Sequence, residues 1–198
     1  GALSGNVLAN DSDPDGQVLT ALVESQPAHG TLSLQANGQF SYVPAVNFNG
    51  VDRFVYRASD ASLSALATVT LTVTPVNDRP VALAALVSVV EDTPASGVLP
   101  LATDVDADPL SYAKGSNPAH GSVTVTSSGQ FTYVPVSQFS GTDSFTYTVS
   151  DGSLSSSAAV TLIVAGVNDA PVSATASIAV DEDTRASGRL PGASDPDG

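Results

Sequence analysis

Apolar and polar residues alternate one for one along much of this chain. Asp143-Ser-Phe145-Thr-Tyr147-Thr-Val149 alternates strictly, as do Val69-Thr-Leu71-Thr-Val73 and Val160-Thr-Leu162. A period of two predicts strands with one buried face. The abundance of Val and Thr agrees, because β-branched side chains suit a pleated surface. Ala36-Asn37-Gly38, Ser127-Ser128-Gly129, Pro118-Ala119-His120-Gly121 and Asp151-Gly152 supply the turns between strands. No segment carries a helical stripe.

The pattern repeats. Gln26 to Pro44, "QPAHGTLSLQANGQFSYVP", returns 91 residues later as Asn117 to Pro135, "NPAHGSVTVTSSGQFTYVP". Asn47 to Ser64 returns at the same offset as Gln138 to Ser155. Asn77-Asp78 maps onto Asn168-Asp169, Glu91-Asp92 onto Glu182-Asp183, and Asp13/Asp15 onto Asp104/Asp106 and then Asp195/Asp197. A tandem array follows, with about seven strands per repeat, which fits an immunoglobulin-like sandwich. Residues 1–76 form a unit without its first strand, 77–167 a complete unit, and 168–198 the opening of a third. The open sheet edge in the first unit expects a strand. Either a longer chain supplies it, or the 168–198 segment of another molecule does.

Charge sharpens this reading. There are 17 Asp and 3 Glu against 5 Arg and 1 Lys, for a net charge of −14. So acidic a surface repels phosphate backbones and anionic lipid, which argues against nucleic-acid partners and against membrane insertion of this segment. No run approaches the roughly 20 apolar residues of a membrane helix, and no signal peptide opens the chain. With no cysteine, neither a disulfide nor a thiolate zinc site is available. The excess of Asp over Glu suits a hard cation such as calcium, which takes oxygen ligands from short carboxylates in loops.

Strand parity assigns the acidic residues to ends of the sandwich. Strand A is expected near Ala82 to Val90, B near Val98 to Ala102, C near Leu110 to Lys114 and E near Phe131 to Val134. With successive strands antiparallel, the lower end of the second unit offers Glu91, Asp92, Asp143, Asn168 and Asp169. Asp195 and Asp197 come from the top of the third unit. At the first junction, Asp52, Asn77 and Asp78 face Asp104, Asp106 and Asp151. So many carboxylates repel one another unless a cation neutralises them.

The motifs "VNDAP", "EDT", "NDSDPDG", "PAHGTL", "FSYVPAVNFNG" and "DSFTYTVSDG" together resemble the bacterial cadherin-like and VCBS-type tandem repeats of giant surface adhesins, often secreted with RTX regions. The resemblance implies a Greek-key β-sandwich and Ca2+ at the joints between repeats. It implies ligands from a first-strand Glu, a loop Asp before strand F, an Asn-Asp linker and an Asp-x-Asp loop. Here those are Glu91, Asp143, Asn77-Asp78 or Asn168-Asp169, and Asp104/Asp106 or Asp195/Asp197. Gln17 departs from the family's acidic triplet, and Ala61 follows Asp60 where Gly is usual. RTX nonapeptides are absent.

Catalytic machinery is not expected. His29 and His120 each sit alone in a Pro-Ala-His-Gly turn, without partners for zinc or a proton relay. Tyr56 and Tyr147 read as a tyrosine-corner element on the buried face of a strand. The Ser-rich stretch at Ser153 to Ser157 lacks a nucleophile elbow. The leading expectation is a non-enzymatic, extracellular stalk segment whose partners are neighbouring repeats, with homotypic or host-surface contacts. The rivals are a carbohydrate- or protein-binding module and a filament subunit built by strand donation.

Overall fold

A computed structural model describes residues 1–185 and 187–197. The alternating runs form thirteen strands, with no helix among the described residues. They divide into two units, Gly1–Val76 and Asn77–Gly198.

The second unit contains seven strands: β7 (Ala85–Val90), β8 (Ala95–Val98), β9 (Ser111–Lys114), β10 (Gly121–Val125), β11 (Gln130–Pro135), β12 (Gly141–Ser150) and β13 (Ser155–Ala165). One sheet has the order β7-β13-β12-β9, the other β10-β11-β8. The long β12–β13 hairpin pairs antiparallel from Gly141↔Val164 to Ser150↔Ser155. β7 joins β13 in parallel, from Val160↔Ala85 to Ala165↔Val90. The inward positions of the alternating runs meet between the sheets: Tyr133, Phe145, Tyr147, Val149, Val160 and Leu162 are all buried. Phe131 and Phe145 tilt against each other with centroids 5.8 Å apart. Each such side chain contributes about 1.5–3 kcal/mol through burial.

The first unit repeats this design without its first strand. β1 (Leu3–Asn6), β4 (Gln39–Pro44) and β3 (Gly30–Leu34) make one sheet; β2 (Thr20–Ser25), β5 (Gly50–Ser59) and β6 (Ser64–Val73) make the other. Among the described residues β6 pairs only with β5. The consequence shows in the core. Val160 and Val164 on β13 are buried, whereas their counterparts Val69 and Val73 on β6 are half-buried.

Two expectations need correction. Strand B falls at Ala95–Val98, earlier than the hydrophobic run suggests. Pro100 has no N–H to give a ladder, so Leu99 and Ala102 pack into the core outside a strand. The tyrosines also differ from a corner. The Tyr147 hydroxyl reaches the backbone of Leu83, 64 residues upstream, and that of Tyr56 reaches the Val7 carbonyl at 2.9 Å. They tie β12 and β5 to stretches of chain far away in sequence, which a corner a few residues away would not do.

The glycine of the Pro-Ala-His-Gly turn has a steric reason. A Cβ on Gly121 would sit 2.5 Å from the Tyr133 ring and 2.6 Å from the Val134 carbonyl oxygen. The carbonyl belongs to the paired strand and cannot rotate away. Gly121→Ala is expected to cost about 1–3 kcal/mol, measured as a lowered midpoint in thermal unfolding; an unchanged midpoint would refute the close approach.

Among the described residues, 168–185 and 187–197 form no strand. All of these but Asp169 are exposed, and an isolated bridge joins Val172 to Ser194. That bridge repeats Val81↔Thr103, 91 residues earlier.

Candidate metal centre

Strand β7 ends at Val90, and the following Glu91 is 4% exposed with its Oε1 accepting the Val167 N–H at 2.6 Å. The Glu91 amide donates to the Ala165 carbonyl, so parallel pairing with β13 is what delivers this carboxylate to the exit linker. Asp169 on that linker and Asp197 come to the same place. Ligand atoms of Glu91, Asp169 and Asp197 lie within 4.8 Å of one another.

The linker holds its loop by a repeated set of hydrogen bonds. The Asp169 N–H donates to Asp197 Oδ2 at 2.6 Å, and the Asp197 N–H to Asp195 Oδ1 at 3.0 Å. One repeat earlier, Asp78 N–H donates to Asp106 Oδ2 at 2.7 Å and Asp106 N–H to Asp104 Oδ1 at 2.9 Å. The Asn side chains match too: Asn77 reaches the Asp78 carbonyl and Asn168 that of Asp169. Asn77 also donates to Asp151 Oδ2 at 2.9 Å. The carboxylate of Asp151 lies below its usual range, because it accepts N–H bonds from Leu154 and Ser153 and the Asn77 amide.

A second acidic group comprises Asp104, Asp106 and Asp108, again with ligand atoms within 4.8 Å. Asp104 Oδ1 is used inside its own loop, but Asp104 Oδ2 is buried with no hydrogen-bond partner. A buried acceptor lacking a donor, flanked by two further carboxylates, fits a cation. Both donor sets consist of oxygen alone, which suits a hard divalent ion and not a thiophilic one.

Asp143 and Asp52 stand apart from these groups. Asp143, 4% exposed, accepts N–H bonds from Ala119, His120 and Ser144 at 2.8–2.9 Å and the Tyr133 hydroxyl at 3.0 Å. Asp52 does the same with Ala28, His29, Arg53 and Tyr42. Burial pushes both carboxyls up, but the N–H donors and the tyrosine hydroxyl outweigh it and hold them below the usual range. Burial, with the neighbouring carboxylate, raises Tyr42 and Tyr133 to about 12. Strand parity expected these Asp residues to face the joint. The structure turns them inward, where they close the Pro-Ala-His-Gly turn with donors already satisfying both oxygens. The turn's imidazoles stack on Phe48 and Phe139 at 4.3 and 4.0 Å.

The residue that does reach the linker from the loop before β12 is Gln138. Its Nε2 donates to Asp92 Oδ2 at 3.0 Å and Asp169 Oδ2 at 2.8 Å. Gln138 and Asp92 both adopt positive φ, 61° and 55°, which brings the two loops together. Being uncharged, Gln138 gave no signal among the carboxylates; its place beside a tight turn was the only hint.

Two β-sandwich units in tandem, each with acidic loops at its ends, define a modular repeat protein of the cadherin type. The family model for the bacterial cadherin-like domain matches residues 1–75 and again 77–166, and the chain belongs to that family. Among solved structures, repeats EC1-2 of human protocadherin-24 are similar at a TM-score of 0.57 and 16% identity, covering 80% of this chain and 85% of that one. EC1-4 of Drosophila N-cadherin matches at 0.40 and 14%, covering 77% and 43%. The endo-fucoidan hydrolase MfFcnA4 of glycoside hydrolase family 107 matches at 0.39 and 24%, covering 77% of this chain and 24% of that one. The chain thus spans about a quarter of that enzyme's length. No curated protein matches the sequence. Among the described residues, no helix is long and apolar enough to cross a membrane.

Proposed function

We propose that this chain is a non-catalytic extender segment in the stalk of a large bacterial adhesin, displayed or secreted outside the cell, whose repeats are stiffened by calcium in the service of cell adhesion or biofilm formation. On this reading residues 168–198 open a third repeat. The observation that carries it is the approach of Glu91, Asp169 and Asp197 to within 4.8 Å of one another, from a strand end, a linker and a loop.

Glu91, Asp169 and Asp197 would hold the ion, with Asp92, Asn168 and Asp195 beside them. Asp104, Asp106 and Asp108 would form the other site, with Asp78 docked on Asp106. Calcium supplies positive charge that cancels the mutual repulsion of these carboxylates. The chain's own residues do the rest. Glu91 fixes the linker through the Val167 N–H, and the Asp78 and Asp169 amides bind the linker to its loop. Pro75, Pro80 and Pro171 restrict the backbone on either side.

Small-angle scattering and thermal unfolding, each with calcium and with chelator, test this proposal. Calcium at 100 times its dissociation constant is expected to add about 2.7 kcal/mol and to lengthen the maximum dimension. If neither quantity responds to calcium, the reading is wrong.

A further inference from the structure

Acidic residues crowd the exit linker of the second unit, yet they do not all share the candidate ion position. Glu91, Asp169 and Asp197 bring ligand atoms within 4.8 Å of one another. Asp92 follows Glu91 directly in the chain and stands outside that group. Its carboxylate is engaged elsewhere. Oδ1 accepts the Gln138 backbone N–H at 3.1 Å, and Oδ2 accepts the Gln138 side-chain amide at 3.0 Å. One residue thus takes up both Asp92 oxygens.

The same amide nitrogen donates to Asp169 Oδ2 at 2.8 Å. Gln138 therefore bridges Asp92, just past the end of β7, and Asp169 on the linker, and uses a single oxygen of Asp169. Its own loop is braced. The Val136 N–H donates to the His120 carbonyl at 2.8 Å and the Phe139 N–H to the Val136 carbonyl at 3.2 Å, while the Phe139 ring stacks on His120. A donor carried by a fixed loop sets the direction of the carboxylate it holds.

The residue type matters as much as the place. A Lys or Arg here would hold both carboxylates and also cancel their charge, and so compete with a cation. A primary amide gives two N–H donors and no charge. It can position Asp169 and leave the full negative charge for an ion.

We propose that Gln138 is a positioning residue for the metal centre. Its amide, anchored on Asp92, aims Asp169 at Glu91 and Asp197, and Asp92 acts through Gln138 instead of holding the ion itself. The inference takes its cation from the calcium reading above, but the latch exists without one: in the ion-free chain it ties the exit linker to the sandwich.

Two measurements on the whole chain test it. Hydrogen exchange in chelator reads the latch. Gln138→Ala is expected to speed exchange of the Asp169 amide several-fold and to leave the Val123 and Tyr133 amides of the β10–β11 ladder unchanged. Calorimetric titration with calcium reads the positioning. Gln138→Ala and Asp92→Asn are each expected to weaken binding about tenfold, and the double variant to bind no worse than the weaker single one. Both side chains are exposed, and Asn tolerates the positive φ at residue 92, so the variants keep the fold. Additive losses in the double variant would overturn the proposal by making Asp92 a ligand in its own right. Unchanged exchange in Gln138→Ala would also overturn it, as would calcium affinity equal to that of a calcium-binding wild type. A wild type that binds no calcium at all overturns the calcium reading and takes the positioning role with it.

Discussion

Asp143→Ala is expected to destabilise the 77–167 sandwich by about 3–5 kcal/mol, lowering its melting midpoint by about 12–40 °C. The carboxylate is the common acceptor for three backbone N–H groups and the Tyr133 hydroxyl, and removing it strands those donors where water reaches them poorly. The effect has a pH signature. Because the folded carboxyl lies below its usual 3.8, its contribution is complete above about pH 5 and is lost as the pH falls through 3.8 toward the lower folded value. The wild type should therefore lose stability over that acid range, and the Ala variant should show a shallower dependence. Denaturant titrations from pH 7 to pH 3 measure both. Equal slopes would mean the carboxylate is not the origin.

Glu91→Gln is expected to give the opposite kind of result, nearly silent in chelator and large in calcium. Gln retains an oxygen to accept the Val167 N–H, so the strand end and linker stay joined. It removes one negative charge from a group of three carboxylates within 4.8 Å, which relieves repulsion when no cation is present. In chelator the midpoint should hold or rise slightly. In calcium, the increment of about 2.7 kcal/mol expected for the wild type should fall below about 1 kcal/mol. Calorimetric titration should show weaker binding in the variant. Binding unchanged from the wild type would remove Glu91 from the donor set.

Much of the architecture was legible because it rests on two local regularities. Alternation in Asp143 to Val149 marks a strand and its buried face, and the 91-residue offset carries that assignment from one unit to the next. Parity along the strands then sorts the loops to opposite ends, which is why Glu91 could be paired with the Asn168-Asp169 linker. Parity says nothing about which way a loop side chain turns. Asp143 and Asp52 sit at strand starts and turn inward because the Pro-Ala-His-Gly turn offers them free N–H groups, a three-dimensional fact without a sequence period. Gln138 escaped notice for the converse reason: its side-chain amide meets Asp92 and Asp169 from a loop whose backbone turns at positive φ. The misplaced start of β8 came from reading Val98 to Ala102 as a ladder despite Pro100.

The parallel pairing of β7 with β13 has a mechanical consequence. Tension along the chain enters this unit before β7 and leaves after β13, so it pulls the start of one strand and the end of its neighbour in opposite directions. The two slide against each other instead of peeling apart. The register from Val160↔Ala85 to Ala165↔Val90 then bears load all at once, whereas an antiparallel hairpin pulled from its open end gives way one pair at a time. A domain built this way resists being drawn out, because its first and last strands act as a shear clamp.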